Sequence, residues 1–423
     1  MRLLYVLLIY LVAPLVIAHE AWKALFNPEY RGRLRQRLGF VQPAVRPGSV
    51  WIHAVSVGEV QAAAGLVSEL QRRYPALPIV LTTVTPTGAQ RARSLFKEGV
   101  QICYLPYDLP GSVGRFLDRI SPQVVVILET EIWPTLYHQL GQRRIPLLLG
   151  SARVSTRSVD RYRRMATLFR DTLSHGILIG AQTPADADRF RAIGAARGRV
   201  QVTGNIKYDL AIPADTVDAG RALRQQWGGE RPVWIAGSTH EGEEDAALAA
   251  HAAVRARHPD ALLLLVPRHP QRFDAVRALL RKRGVPHAQR SAGAVPAPGD
   301  AVFLIDTLGE LQMFYAAADI AFVAGSLVPI GGHSLLEPAV LGLPMLSGPH
   351  THNSQDIADM FEHAGALRIV RSQEELGYRL IEWIGDPERA RATGAIGREA
   401  VAANRGAVDR LVAMIEPLLR TSA

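Results

Sequence analysis

The fold is indicated most clearly by the stretch Ala324-Gly325-Ser326-Leu327-Val328-Pro329-Ile330-Gly331-Gly332-His333-Ser334-Leu335-Leu336-Glu337-Pro338. An apolar, β-rich segment precedes this stretch, and a run of helix-forming residues follows it. The pattern predicts a strand, a glycine-containing loop and then a helix that opens near His333. A strand that leads through a loop into a helix is the repeating unit of a parallel α/β sheet.

The glycines of this loop favour a ligand site. Gly331 and Gly332 carry no Cβ atom, so a ligand could approach their backbone closely. The first N–H groups of the predicted helix, near its positive end, would then bind a phosphate. Glu337, one turn further on, could accept hydrogen bonds from two ribose hydroxyls. A tight strand-to-helix turn around a buried glycine pair explains the glycines equally well. The presence of Glu337 and Pro338 shifts the balance towards a site that binds a nucleotide.

Short apolar strands alternate with helical patterns along the whole chain, which predicts parallel sheets covered on both faces. The pattern breaks at residues 204–213 and then restarts, and 423 residues are enough for two domains. The predicted strands lie at residues 49–55, 79–83, 123–128, 146–150 and 176–180 before this linker, and at 233–238, 262–266, 302–306, 320–324 and 345–347 after it.

The charge is unevenly distributed between the two halves. Residues 1–210 hold 27 basic and 14 acidic side chains, a net charge of +13, whereas the remainder carries −4. The first half is therefore expected to face an anionic partner, such as anionic lipid or a phosphorylated substrate. Nucleic acid is not expected, because aromatic residues are not interleaved with the basic ones as stacking platforms.

The N-terminus predicts a membrane anchor. Residues 3–18 are almost entirely apolar and uncharged, which is short for a spanning helix but close to the tolerated length. Val16-Ile17-Ala18 resembles a signal-peptidase site. The basic residues that follow, Lys23 and the arginines of 31–37, favour an uncleaved anchor with the bulk of the protein in the cytoplasm. Those arginines are expected to lie at the headgroup surface of an anionic membrane.

Charged residues follow several predicted strands, where ligands bind in open α/β sheets. Glu59 suits a general base, although an acid at a helix N-terminus is equally expected there. Glu129 and Glu131 have structural and catalytic explanations of equal weight. Arg268 suits a phosphate or carboxylate, with a surface salt bridge as the alternative. Lys207 could stabilise developing negative charge, although a solvated linker lysine is the simpler explanation.

No metal or other cofactor is expected. The thirteen histidines include no pair at metal-ligand spacing with a partner carboxylate. The single cysteine, Cys103, lies in a strand-like segment and is expected to be a core thiol.

These motifs together resemble the bacterial 3-deoxy-D-manno-octulosonic acid (Kdo) transferases of lipopolysaccharide biosynthesis. Besides the N-terminal anchor, the motifs that carry the resemblance are His53-Ala54-Val55-Ser56-Val57-Gly58-Glu59, Glu129-Thr130-Glu131-Ile132-Trp133-Pro134, Gly204-Asn205-Ile206-Lys207-Tyr208-Asp209, Gly237-Ser238-Thr239-His240, Pro267-Arg268-His269-Pro270 and Gly331-Gly332-His333. They are spread over nearly the whole chain.

The resemblance implies a GT-B glycosyltransferase, with two Rossmann-like domains facing each other across a cleft. Residues 1–22 would form the inner-membrane anchor, 23–210 the acceptor domain, and 211–423 the CMP-sugar domain, whose C-terminal helices pack back. The donor would be CMP-Kdo, the acceptor the glucosamine disaccharide precursor of lipid A, and the transfer inverting and independent of metal.

The resemblance also implies roles for individual residues. Glu59 would be the general base, with Glu129 and Lys207 supporting the transition state. The segments expected to bind CMP are Pro267-Arg268, Leu308-Gly309-Glu310 and Gly331-Gly332 with Ser334-Leu335-Leu336-Glu337. The family usually has Asn-Pro after Gly-Gly-His, so the contacts of Ser334 and Leu335 are the least secure, although serine can still cap a helix.

Two other functions are compatible with the same residues. One is a GT-B transferase that uses a UDP-sugar, and the other is a membrane scaffold that keeps the fold without catalysis.

Overall fold

The computed structural model describes residues 2–27, 30–41, 46–96, 99–129, 131–154, 159 and 176–419. The chain forms two compact units. The first comprises Met1–Asp209 and Asn404–Ala423, and the second comprises Leu210–Ala403.

The first unit contains a seven-stranded parallel sheet with the spatial order β3-β2-β1-β4-β5-β6-β7. Apolar side chains of its central strands are buried on both faces, as expected for a sheet covered by helices. The strand order reverses direction between β1 and β4, and ligands bind at such a switch point in open α/β sheets. The strands are β1 Ser49–His53, β2 Ile79–Thr83, β3 Val100–Tyr104, β4 Pro122–Leu128, β5 Leu147–Ala152, β6 Leu178–Ala181 and β7 Val200–Val202.

The second unit repeats this plan, with the order β10-β11-β9-β8-β12-β13-β14 and parallel pairing throughout. Its switch point lies between β8 and β12. The two sheets confirm the predicted α/β class. The strands are β8 Val233–Thr239, β9 Leu262–Pro267, β10 His287–Gln289, β11 Val302–Leu304, β12 Ile320–Val323, β13 Met345–Ser347 and β14 Leu367–Ile369.

Helices connect most of the successive strands, although the described connection between β10 and β11 contains none. Those described in the first unit are α1 Arg2–Phe26, α2 Arg33–Arg37, α3 Val57–Arg73, α4 Pro86–Leu95, α5 Pro110–Ile120, α6 Pro134–Gln142, α7 Pro184–Ala192 and, at the end of the chain, α16 Ala407–Ile415. Those of the second unit are α8 Ala214–Gln226, α9 Glu243–Arg255, α10 Phe273–Lys282, α11 Leu311–Ala316, α12 Leu336–Val340, α13 Gln355–Ala364, α14 Gln373–Gly385 and α15 Pro387–Ala403.

The C-terminal helix α16 belongs to the first unit, whereas the sequence prediction extended the second domain to residue 423. Asp209 accepts hydrogen bonds from the backbone N–H groups of Gly406 and Val408, both at 2.6 Å, at the start of α16. Leu411 and Val412 are buried in the core of the first unit beside α3. The Asp209 carboxylate and the apolar face of α16 thus attach the C-terminal helix to the first unit.

Helix α1 is long and apolar enough to cross a membrane, and its apolar segment is not buried by the protein. Both of its ends nevertheless contact other elements of the first unit. The Tyr5 hydroxyl donates to Asp108 at 2.8 Å, and Glu20 pairs with Arg33 at 3.1 Å. Leucines such as Leu11 and Leu15 are exposed on the helix surface.

The sequence suggested that all the arginines following α1 face outward, but two of them do not. Arg31 and Arg35 are exposed, but Arg33 and Arg37 are only 5% and 8% exposed. These two occupy one face of α2, four residues apart, and that face packs towards the sheet. Only Arg31 and Arg35 are therefore oriented for contact with headgroups.

Candidate functional site

Glu59 lies in the first turn of α3, directly beyond β1. The Ser56 hydroxyl accepts a hydrogen bond from the Glu59 N–H at 3.4 Å and donates to Oε1 of the Glu59 carboxylate at 3.0 Å. Oε2 accepts the N–H of Val55 at 2.8 Å. This reciprocal arrangement resembles a capping box, so Glu59 stabilises the start of α3 whatever else it does.

Glu129 follows β4, on the other side of the switch point, and forms an ion pair with Lys207. The Lys207 ammonium is 2.6 Å from Oε1 of Glu129. Glu129 adopts a left-handed backbone conformation, with φ of 59°, which costs a residue with a Cβ atom about 1–2 kcal/mol. Such strain is often found at functional sites. Thr130, the next residue of this motif, lies outside the described residues.

Lys207 is positioned by its own motif. It lies in a short 3-10 helix, Ile206–Asp209, whose start is fixed by the Asn205 side chain accepting the Lys207 N–H at 3.0 Å. The end of this helix is fixed by Asp209, through its contacts with α16. Lys207 is therefore held against Glu129 rather than being a solvated linker residue.

The carboxylates of this site alter one another's pKa values. Burial, and then the charge of Glu129, raise the pKa of Glu59, while Lys207 and the bonds from Val55 and Ser56 lower it. Burial and the charges of Glu59 and Glu129 raise the pKa of Glu131 to about 7. A carboxyl group whose pKa is shifted towards neutrality is suited to exchange a proton with a substrate hydroxyl.

In the second unit, the loop after β12 is organised by a buried carboxylate that the sequence did not single out. Glu243, in the first turn of α9, is completely buried. It accepts the backbone N–H groups of His240, Gly325, Ser326 and Leu327 at 2.7–3.0 Å. The protein's own carboxylate thus already binds the N–H groups nearest β12.

The helix whose first N–H groups were predicted to bind a phosphate differs from the prediction. Helix α12 begins at Leu336, three residues later than predicted, and has only five residues, so its dipole is small. Gly331 and Gly332 have φ of 110° and 77°. A Cβ atom at Gly331 would lie 2.6 Å from the side chains of His352 and Asn353. The glycine is therefore required by the protein's own loop, which is the structural alternative noted above.

Three histidines converge beside these glycines at the carboxyl ends of the strands. Nε2 of His240 lies 3.0 Å from Nε2 of His333, the two rings are stacked, and His269 meets the His240 ring edge-on. Burial, and then the charge of Arg268, lower the pKa of His333 to about 3. The pKa values of His240 and His269 are also lowered, with burial as the first cause.

The remaining predicted CMP-binding residues lie along the same edge of the second sheet. Arg268 is exposed directly after β9, whereas Pro267 is buried. Leu308 is 66% exposed, Gly309 has φ of 85°, and Glu310 pairs with Arg290 at 2.6 Å.

A side chain of α11 joins two of the predicted segments. Gln312 donates to Glu337 at 2.8 Å and so connects the segment around Glu310 to the start of α12. Ser334 is exposed, but Leu335 and Leu336 are 2% and 4% exposed. Any ligand contact at these two leucines would come from the backbone.

No group of three or more His, Cys, Asp or Glu side chains is arranged to hold a metal ion in the part of the chain that the structure describes.

Comparison with known proteins identifies the family. Residues 32–210 match the family model described as 3-deoxy-D-manno-octulosonic-acid transferase (kdotransferase). A 3-deoxy-D-manno-octulosonic acid transferase of Haemophilus influenzae is 40% identical over 99% of both chains. The chain belongs to the Kdo transferase family. It is therefore a glycosyltransferase. A second Kdo transferase, from Bordetella pertussis, is 38% identical over 93% of this chain and 92% of its own.

Solved structures place this Kdo transferase in a wider fold class. UDP-GlcNAc 2-epimerase from Neisseria meningitidis, bound to UDP-GlcNAc, covers 87% of this chain and 100% of its own, with a TM-score of 0.57 and 16% identity. The glycotransferase of kitacinnamycin covers 89% of this chain and 100% of its own, with a TM-score of 0.53 and 16% identity. These likenesses support the predicted GT-B fold.

The sequence of this Kdo transferase did not lead us to predict the histidine cluster, and it left the role of Glu131 open. Each of His240, His269 and His333 stands in a motif that carries the family resemblance, and His240 and His269 come within two residues of a strand end. Their position beyond the strands was the available signal.

Proposed function

We propose that the protein transfers Kdo from CMP-Kdo to the lipid A precursor, with inversion at the anomeric carbon and Glu59 as the general base. The observation that supports this best is the carboxylate cluster at the switch point of the first sheet, where Glu59, Glu129 and Lys207 lie together. Membership of the Kdo transferase family indicates that Kdo is the sugar transferred. The positive charge of the first half of the chain fits a phosphorylated lipid acceptor.

In the proposed reaction, Glu59 removes the proton from the acceptor hydroxyl as its oxygen attacks the anomeric carbon of Kdo. The new C–O bond forms while the bond from that carbon to the phosphate oxygen of CMP breaks, so a single displacement inverts the centre. Lys207 opposes the negative charge that Glu129 adds near Glu59. Arg268, beside the histidine cluster, suits the phosphate of CMP as it leaves, and we propose no metal for this step.

A conservative substitution tests the base. In Glu59→Gln the amide still serves the capping box, so α3 should keep its start. We expect kcat to fall by about 10²–10⁴-fold while the affinity for CMP stays unchanged. Glu69→Gln is the matched control, because Glu69 lies on the same helix and its partners among the described residues are Arg72 and Arg73. A Glu59→Gln enzyme within a few-fold of wild type would remove Glu59 as the base.

The donor is tested separately by competition. We expect CMP to inhibit the transfer reaction and to bind more tightly than UDP. Tighter binding of UDP would reject CMP-Kdo and favour a transferase of UDP-sugars.

We propose that α1 attaches the enzyme to the inner membrane, with both units on the cytoplasmic side. The exposed leucines of α1 supply the apolar contact, and Arg31 and Arg35 supply charge for anionic headgroups. Leu11→Gln combined with Leu15→Gln should weaken flotation with anionic vesicles. Unchanged flotation of this variant would argue against α1 as the attachment.

A further inference from the structure

The first unit contains a buried group of hydrogen-bond donors that the proposed reaction does not use. Arg33 and Arg37 point from α2 into the interior, where together they bring two positive charges. Arg33 is paired: its guanidinium contacts Glu20 at 3.1 Å and the carbonyl oxygen of Val84 at 2.6 Å. Glu20 is the only carboxylate within 4 Å of either arginine among the described residues, so one charge is left uncompensated.

Arg37 carries that charge. Its guanidinium lies over the Tyr107 ring, 4.2 Å from the centroid, and its buried Nε has no hydrogen-bond partner among the described residues. Burial lowers the pKa of Arg37, and the charge of Arg33 contributes in the same direction, whereas Tyr107 and Glu20 partly oppose the shift. The Tyr107 hydroxyl is also buried and has no partner in the described chain. Buried donors are rarely left unpaired in native proteins, because each loses its bonds to water.

His53 lies beside this group as a neutral ring. Its Nδ1 lies 3.1 Å from the carbonyl oxygen of Thr82 and 2.8 Å from the Thr82 hydroxyl, which also accepts the indole N–H of Trp51 at 2.8 Å. Since a carbonyl oxygen can only accept, Nδ1 carries the ring proton. Nε2 is buried and has no partner among the described residues. Burial lowers the pKa of His53 to about 3, and the charge of Arg37 lowers it further.

These donors lie at the ligand-binding edge of the first sheet. Val84, which Arg33 contacts, follows β2, and Tyr107 comes three residues after β3; the neutral His53 ring beside them is the last residue of β1. The same region contacts the membrane helix, because Glu20 belongs to α1. A ligand that reaches it is therefore expected to come from the membrane plane.

We propose that Arg33, Arg37 and Tyr107 bind a phosphate monoester carried by the lipid acceptor. This inference rests on the proposed function. A phosphate offers acceptor oxygens to donors that otherwise have none, and its negative charge compensates that of Arg37. The group would thereby position the acceptor sugar on the first unit, where Glu59 lies.

The test compares two acceptors on the full-length enzyme: the phosphorylated glucosamine disaccharide lipid and the same lipid after phosphatase treatment. Tyr107→Phe removes only the unpartnered hydroxyl. We expect its KM for the phosphorylated acceptor to rise about tenfold with kcat nearly unchanged, the size expected for a hydrogen bond to a charged group. With the dephosphorylated acceptor, the variant and wild type should have equal KM values.

Stability distinguishes binding from a structural role. Because the Tyr107 hydroxyl has no partner in the described chain, Tyr107→Phe should not lower the unfolding temperature. Arg37→Gln should show the same dependence on acceptor phosphate with a larger rise in KM, about a hundredfold. Tyr378→Phe, at an exposed position in the second unit, is the matched control and should change neither quantity.

Two outcomes would overturn the inference while leaving the proposed function intact. One is an equal KM effect of Tyr107→Phe on both acceptors, and the other is a lower unfolding temperature with unchanged KM. A wild-type enzyme that transfers to neither acceptor would instead contradict the proposed function itself.

Discussion

Replacing Glu243 with glutamine removes the charge from a carboxyl group that holds together the loop at the switch point of the second sheet. Oε1 of Glu243 accepts the N–H groups of Ser326 and Leu327, and Oε2 accepts those of His240 and Gly325. Glutamine keeps one oxygen and replaces the other by an NH₂ group. Whichever way the amide turns, two of the four N–H groups lose their acceptor and face another donor.

The magnitude follows from those two lost bonds. A hydrogen bond to a charged group contributes about 1.5–3 kcal/mol, so Glu243→Gln should destabilise the second unit by about 3–6 kcal/mol. For a unit of this size, that lowers the unfolding temperature by about 6–24 °C. Hydrogen exchange should localise the change, because the amides of residues 325–327 should lose protection.

Glu241→Gln is the matched control, since the side chain of Glu241 is 88% exposed and, among the described residues, forms an ion pair with Arg272 alone. It should change the unfolding temperature little. If Glu243→Gln destabilised the protein by less than about 1 kcal/mol and left residues 325–327 protected, the assignment of Glu243 as the organiser of this loop would be refuted.

Three further predictions follow from the buried titratable groups. Because the raised pKa of Glu59 favours its protonated form, kcat/KM should fall as the pH falls, with a midpoint above that of an ordinary glutamate; a midpoint at or below that value would contradict it. Lys207→Met should move this midpoint to higher pH, since Lys207 lowers the pKa of Glu59, and should lower kcat/KM by about 10–100-fold. An unchanged midpoint would show that Lys207 and Glu59 are not electrostatically coupled. Burial raises the pKa of the Cys103 thiol to about 12, so DTNB should label it only after unfolding, and rapid labelling of the native protein would show that it is not in the core.

The two parallel sheets were predictable because their central strands are continuous apolar runs. Val124–Leu128 and Leu262–Val266 are buried on both faces and read as strands without ambiguity. The three-residue strands β7, β10 and β14 could not be predicted in this way. They have mixed polarity and lie at the outer positions of their sheets, and none of them contains an apolar run of strand length.

The candidate site was predictable where its residues follow strands directly. Glu59, Glu129 and Arg268 all stand just beyond a predicted strand, and the parallel topology brings such positions to one edge of a sheet. Glu243 could not be predicted, because its backbone partners at 325–327 lie more than 80 residues away in the sequence. The late start of α12 escaped prediction because the residues around His333 and Ser334 are compatible with a helix.

The burial of Arg33 and Arg37 also could not be predicted from the sequence. A run of alternating arginines next to an apolar helix is typical of a headgroup contact. The side chains of α2 four residues apart share one face, and in this fold that face packs on the sheet. Whether a short basic helix presents a given face to solvent depends on tertiary packing, which a single sequence does not reveal.

Mass spectrometry of the lipid product tests the central claim most directly, because it reports sugar and acceptor together. The purified wild-type enzyme, incubated with CMP-Kdo and the lipid A precursor without added metal, should yield that lipid extended by Kdo. The Glu59→Gln enzyme should leave it unmodified. Unmodified lipid from the wild-type enzyme, or extension only when a UDP-sugar replaces CMP-Kdo, would contradict the account.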